Sequence, residues 1–243
     1  MKSDIFKKLE AYLMKEQFNP SITGLFLNPF YFSRKALYDS IKRYSGYIKG
    51  QTLDIGCGSK PYEHLFVTDK YTGLDTEVTG HNHKASKIDI YYDGVTIPFE
   101  NSYFDSIVCF EVLEVVFNPE LFLNEAFRVL KNGGTAIFTV PFIWDESEQP
   151  YDYARYSSFG LRYLFEKHGF NVIENRKLLC DLRLLSLLSN AYIYKIFKGI
   201  FPSRIAYFFI LPLTTINNFI GHIFCLFPKN PDLYFGNIFI LRK

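Results

Sequence analysis

Short apolar runs, closed by Gly, Asp or Pro, alternate with longer amphipathic stretches along most of this chain. Residues 51–55 and 71–74 read as short strands, and 102–110 and 135–140 as apolar runs of the kind that buried strands show. Residues 87–92 and 169–174 read as two further strands. Residues 119–130 place apolar side chains at 121, 122, 126, 129 and 130 with Glu125 and Arg128 opposite, which predicts an amphipathic helix. Asn132-Gly133-Gly134 is expected to cap it. Another helix should begin at Phe159, and a third should cover residues 33–47 with Ala36, Leu37, Ile41 and Tyr44 on one face, after an aromatic loop over 28–32. Strand, helix and strand joined by short turns predict an α/β fold. Its doubly wound, mostly parallel sheet would bind ligand at the carboxyl ends of the strands.

The strand at 51–55 breaks into the loop Leu53-Asp54-Ile55-Gly56-Cys57-Gly58-Ser59-Lys60-Pro61. Two glycines let backbone approach a ligand with no Cβ between. A dinucleotide-binding turn needs a third small residue where Pro61 stands, and an acid before the first glycine would repel a pyrophosphate. An amino group or a sulfonium centre would be attracted. Asp75 follows 21 residues after Asp54, at the tip of the neighbouring strand, where a carboxylate accepts both hydroxyls of a ribose.

The ordered segments D-I-G-C-G, Y-T-G-L-D, D-G-V-T-I-P-F, F-D-S-I-V-C-F-E-V-L-E and R-V-L-K-N-G-G over roughly residues 51–174 resemble the type-11 family of class I S-adenosylmethionine-dependent methyltransferases. The resemblance implies a seven-stranded Rossmann-like sheet whose last strand, residues 233–241, inserts antiparallel between the fifth and sixth. It implies S-adenosyl-L-methionine as cofactor, with Asp54 near the methionine amino end and Gly56, Cys57 and Gly58 in the ligand turn. Asp75 would hold the ribose, Asp93 and the Gly94 amide the adenine edge, and Phe110 and Glu111 the methionine arm. A plain turn acid is the alternative for Asp93.

Residues 141–157, after the fifth strand, contain the only Trp, several acids and an Arg-Tyr pair, and resemble the H-E-x-P-x-D-x-x-R-Y-T segment of a subset of the family. Trp144, Arg155 and Tyr156 are the candidate acceptor contacts. Asp152 and Arg155 are alternatively a salt bridge that holds the loop. The family's usual histidines are replaced by Val115 and Ser147. Glu148, Asp152 and Glu114 remain as candidate bases for a hydroxyl acceptor. The function expected is O-methylation of a sugar, glycolipid precursor or other small metabolite, with N-methylation of a small amine or a cofactor-binding pseudoenzyme as alternatives.

Net charge is +2, from 27 basic and 25 acidic residues without a basic tract, which argues against a nucleic-acid partner. Four scattered cysteines suggest reduced thiols and a cytoplasmic protein, and residues 1–17 are too charged for a signal peptide. No metal site is expected: His81 and His83 lack a third ligand nearby.

The expected domains are an N-terminal helical segment (1–49), a cofactor-binding core (50–180), a helical insertion (181–231) and the final strand (232–243). Residues 205–227 are uncharged and long enough to cross a bilayer, yet a single crossing would strand the last strand on the far side. The insertion is therefore expected as a lid, a homodimer face or an anchor on the inner membrane surface.

Overall fold

The computed structural model describes residues 12–77 and 86–243, so His81 and His83 lie outside the described residues. The chain divides into two compact units. One joins Ser40–Lys177 to Gly236–Lys243, and the other joins the described part of Met1–Asp39 to Leu178–Phe235. Helix α1 (Tyr31–Tyr44) contributes residues to both.

The first unit is built on seven strands: β1 (Gln51–Ile55), β2 (Lys70–Thr76), β3 (Ile90–Tyr92), β4 (Phe104–Phe110), β5 (Leu130–Pro141), β6 (Asn171–Leu178) and β7 (Gly236–Arg242). They lie in the order β3-β2-β1-β4-β5-β7-β6. The first five pair in parallel, and β7 runs antiparallel to β5 from Thr135 opposite Arg242 to Pro141 opposite Gly236. Central strands are buried along most of their length, with Thr52, Asp54, Ser106 and Asn237 buried among their apolar residues. Phe138, Phe165 and Phe239 form a chain of rings through the core with centroids 5.1 Å apart.

Helix α2 (Pro119–Val129) starts where Asn118 accepts the Leu121 amide at 3.2 Å and Pro119 takes a position that needs no amide. It buries Phe122, Leu123, Ala126 and Val129, but Leu121, expected on that face, is exposed. The Asn-Gly-Gly cap is also not what ends the helix. Leu130 turns directly into β5, and Asn132–Gly134 fall inside that strand, where the register with β4 shifts and Gly133 takes φ +77°. Helix α3 (Ser158–Lys167) is capped by Ser157, whose hydroxyl accepts the Gly160 amide at 3.1 Å.

In the second unit, Tyr31 and Phe32 belong to α1 and not to a loop, because both rings are buried. Helices α4 (Arg183–Ile200) and α5 (Ser203–Phe224) pack antiparallel: Ser186 and Asn190 meet Asn217 and Asn218, and Tyr194 meets Tyr207. The inner face of α5 is Ala206, Ile210, Thr214, Asn218 and Gly221. A Cβ at Gly221 would stand 2.4 Å from the Phe32 ring, so only glycine permits this approach. Asn218 Nδ2 donates to the Leu25 carbonyl at 2.9 Å, and Asn190 Nδ2 to the Pro29 carbonyl at 2.8 Å.

Candidate active site

A crevice of about 810 Å³ opens at the carboxyl ends of the first four strands. Gly56 begins its floor at the end of β1, with φ +73°. A Cβ there would lie 2.3 Å from Val112 Cγ2, itself part of the wall. Glycine is thus required twice, for conformation and for space.

Asp75, at the end of β2, also lines the crevice and is buried. Its Oδ2 accepts the Gly58 amide at 2.9 Å and its Oδ1 the Thr76 amide at 2.8 Å. The acid therefore ties the glycine loop to the neighbouring strand. Each oxygen keeps a further lone pair for a hydroxyl. Asp93 and Gly94 line the wall after β3. Asp93 Oδ1 accepts the Val95 and Thr96 amides at 2.8 and 2.7 Å, and these bonds lower its pKa. The turn-acid geometry and a place beside the ligand space thus coincide in one residue. Glu111, just past β4, lines the crevice in the left-handed region at φ +56°.

Other residues predicted for the cofactor lie behind this wall. Asp54 is buried, and its Oδ2 accepts the Tyr71 hydroxyl at 2.7 Å. Burial lifts its carboxyl from 3.8 to about 7, the Tyr71 hydrogen bond opposes the rise, and the charge of Asp75 adds to it. Cys57 is buried as well, with its thiol pushed up by burial and then by Asp54. The Phe110 ring stands between Tyr62 and Phe66, at 5.3 and 6.2 Å.

The loop after β5 sends alternate residues two ways. Glu148, Tyr151 and Tyr153 line the crevice. Asp152 turns back: Arg155 donates to both its oxygens and the Ser147 amide adds a bond at 2.9 Å. Arg155 also donates to the Asp145 and Ala154 carbonyls. The salt bridge between Asp152 and Arg155 is present. With both oxygens of Asp152 engaged this way, it is poorly placed to take a proton. Trp144, Arg155 and Tyr156 are not among the lining residues. Glu114 is buried away from the crevice, and its carbonyl accepts the Tyr153 and Ala154 amides. Burial, reinforced by Glu111, pushes its carboxyl well above the usual range. Of the three candidate bases, Glu148 alone faces the open space.

The sequence reading passed over Lys60. It is buried at φ +53°, paired with Asp89, and its ammonium lies 5.8 Å from the centre of the Tyr71 ring. Asp89 also accepts the Gly73 amide at 2.7 Å, so this pair clasps the motif loop onto β2. Glu77, Tyr91, Tyr92 and Leu121 are further lining residues with no motif to announce them. Among the described residues, no cluster of His, Cys, Asp and Glu has the makings of a metal site.

Residues 53–138 match the family model described as a methyltransferase domain. Over this stretch, about a third of its length, the chain is similar to methyltransferase domains. An uncharacterized protein of Methanocaldococcus jannaschii is 30% identical over 106 residues, 44% of this chain and 51% of that one. The chain thus spans about half the length of this curated relative, and 38% of a second from the same organism. Among solved structures, the [4+2]-cyclase SpnF superimposes with TM-score 0.57 at 16% identity, covering 86% of this chain and 80% of that one. Phosphoethanolamine N-methyltransferase 2 of Haemonchus contortus, solved with S-adenosyl-L-methionine, gives 0.55 at 18% identity, covering 95% and 59%. At such identities these likenesses establish the methyltransferase fold and carry nothing about the reaction.

S-Adenosylmethionine is the donor this family uses. The crevice of this chain suits that donor on its own chemistry. Five acids, Asp75, Glu77, Asp93, Glu111 and Glu148, line the space, and no Lys, Arg or His does so among the described residues. Gly56 and Gly94 leave backbone exposed beside them.

Proposed function

We propose that this chain transfers a methyl group from S-adenosylmethionine, by direct displacement, to an oxygen nucleophile on a sugar, glycolipid precursor or other small metabolite. The acid-lined crevice carries this reading. At about 6 Å, with an effective dielectric near 20, one unit-charge pair is worth roughly 3 kcal/mol, so a lining of five carboxylates favours a cation and disfavours a pyrophosphate. When bound, the donor supplies an electrophilic methyl on a positive sulfur. The chain's part is to hold and orient: Asp75 the ribose hydroxyls, Asp93 and the Gly94 amide the adenine edge, Glu111 the cationic arm. Glu148 is the carboxylate placed to accept the acceptor's proton, and tyrosines 151 and 153 offer faces for sugar C–H groups. Orienting the nucleophile in line with the breaking bond supplies several kcal/mol without a strong base.

The same lining supports a second reading. A protonated amine is drawn to these carboxylates as the donor is, so N-methylation of a small amine fits the crevice, whereas a phosphorylated acceptor does not. Calorimetry with S-adenosylmethionine and S-adenosylhomocysteine tests the shared basis, and failure of both to bind overturns O-methylation and N-methylation alike. Labelled methyl transferred into a metabolite extract identifies an enzyme. Tight binding without any transfer instead marks a pseudoenzyme, consistent with Val115 and Ser147 at the family's histidine positions.

A further inference from the structure

Helix α5 is inverted relative to a soluble helix. Its inner face holds Thr214, Asn218 and Gly221, while Phe208, Ile216, Phe219 and Ile223 are between 47% and 74% exposed. These outer positions recur at intervals of three, four and eight, one continuous stripe over about four turns. Exposed Leu226 and Phe227 follow just beyond the helix end. Contiguous apolar patches beyond a few hundred Å² are rare on proteins that meet only water.

What covers the stripe is indicated by charge. Residues 182–231 contain Arg183, Lys195, Lys198, Arg204 and Lys229 and not one Asp or Glu. Lys195 and Lys198 stand in the last two turns of α4, beside the turn into α5, together with Tyr194, Phe197, Phe201 and Tyr207. Lys198 Nζ lies 5.2 Å from the Tyr207 ring centre and 5.8 Å from that of Tyr194. Cations interleaved with aromatic rings, beside an apolar stripe, match the boundary between acidic headgroups and acyl chains.

α5 is long and apolar enough to cross a bilayer, but its inner polar residues are spent on protein. Thr215 Oγ1 donates to the Phe26 carbonyl at 3.1 Å, Asn217 Nδ2 to the Ser186 carbonyl at 2.8 Å, and Asn218 to Leu25. A helix so fastened along one side to α4 and residues 24–29 offers lipid only the other side. A crossing hairpin would also carry three cations through hydrocarbon, at a cost of a few kcal/mol each.

We infer that the α4–α5 hairpin docks this protein on the surface of an anionic membrane, with the α5 stripe seated in the interface and the basic turn at the headgroups. Such docking is independent of the methyl-transfer reading. Flotation of the full chain with vesicles of phosphatidylcholine, with and without phosphatidylglycerol, tests it. The protein should float with the mixed vesicles, bind less as salt rises, and stay with the membrane less after Lys195→Ala/Lys198→Ala. Phe208→Glu/Ile216→Glu/Ile223→Glu should abolish flotation while far-UV circular dichroism and S-adenosylmethionine titration remain as in the parent. Failure to float with either vesicle overturns the proposal. So does a dimer, seen by light scattering, that the triple substitution dissolves, since a second copy would then be the cover. Resistance to alkaline carbonate extraction also overturns it, in favour of a spanning hairpin.

Discussion

Both oxygens of Asp75 accept backbone amides, so this residue holds the glycine loop while it lines the crevice. Asp75→Ala is expected to weaken S-adenosylmethionine binding by roughly 1–3 kcal/mol, read by calorimetry, through loss of charged hydrogen bonds. Unchanged affinity would remove the ribose role. Glu111 presents a different balance. Its φ of +56° costs a non-glycine residue roughly 1–2 kcal/mol. Glycine would relieve that strain but lose about 0.5–1 kcal/mol to the entropy of the unfolded chain. Glu111→Gly should therefore leave the urea midpoint nearly unchanged while cofactor affinity falls. A large loss of stability would instead make Glu111 a structural residue. Asp75 was legible from its distance past the glycine turn, and Asp93 and Glu111 from the family resemblance. Asp54 was legible as an acid of the motif, but its burial against Tyr71 depends on which way one strand residue points once its neighbours are in place.

At the scale of elements, β2 and the motif loop are one assembly. The bare Cα of Gly73 gives room to Cys57 and Lys60: an added Cβ would lie 2.6 Å from Cys57 Sγ and 2.3 Å from Lys60 Cε. Lys60 has little freedom to move aside, because Asp89 holds its ammonium. Gly73→Ala should cost about 1–3 kcal/mol in urea unfolding, as overpacking does, and weaken cofactor binding in parallel. A variant as stable as the parent would show that the clasp yields. The loop over 141–157 was readable as the segment of the acceptor contacts, yet its division of labour was not. Glu148, Tyr151 and Tyr153 face the space while Asp152 and Arg155 lock the loop to itself, a choice made by the Ser147 amide and the Asp145 carbonyl.

For the whole molecule, burial of carboxyl groups sets a pH dependence. Asp54 holds its proton up to about 7 when folded, against 3.8 ordinarily, and Glu114 is shifted in the same direction. The folded state then binds more protons than the unfolded state between those values. This contribution is complete below 3.8 and is lost as pH rises toward 7, by at most about 1.4 kcal/mol per pH unit for one group. Asp105 and Glu125 are held below their ordinary values, the first by Lys131 and the second by Arg128, and lose their contribution only as pH falls beneath that range. Stability should therefore peak on the mildly acidic side and decline toward neutrality. Urea titrations across that interval test this, and Asp54→Asn should flatten the decline. A parent protein more stable at neutral than at mildly acidic pH would contradict the burial of these groups.

The order and type of the elements, the glycine turn and the acids near the strand tips are consequences of local pattern, so the sequence alone determined them, while the place of the last strand between β5 and β6 was implied by the family resemblance. Periodicity reports which residues share a face, and offsets from strand ends report which loops meet. Tertiary structure decided what those faces meet: that Leu121 turns to the crevice, that Asn132–Gly134 bend a strand instead of closing a helix, and that Glu114 is sealed in. It also decided that α5 keeps its asparagines inside and its phenylalanines outside. The physical reason is common to all four. A side chain's environment is set by partners distant in sequence, and a hydrogen bond available only in the folded chain outweighs the preference that hydropathy expresses.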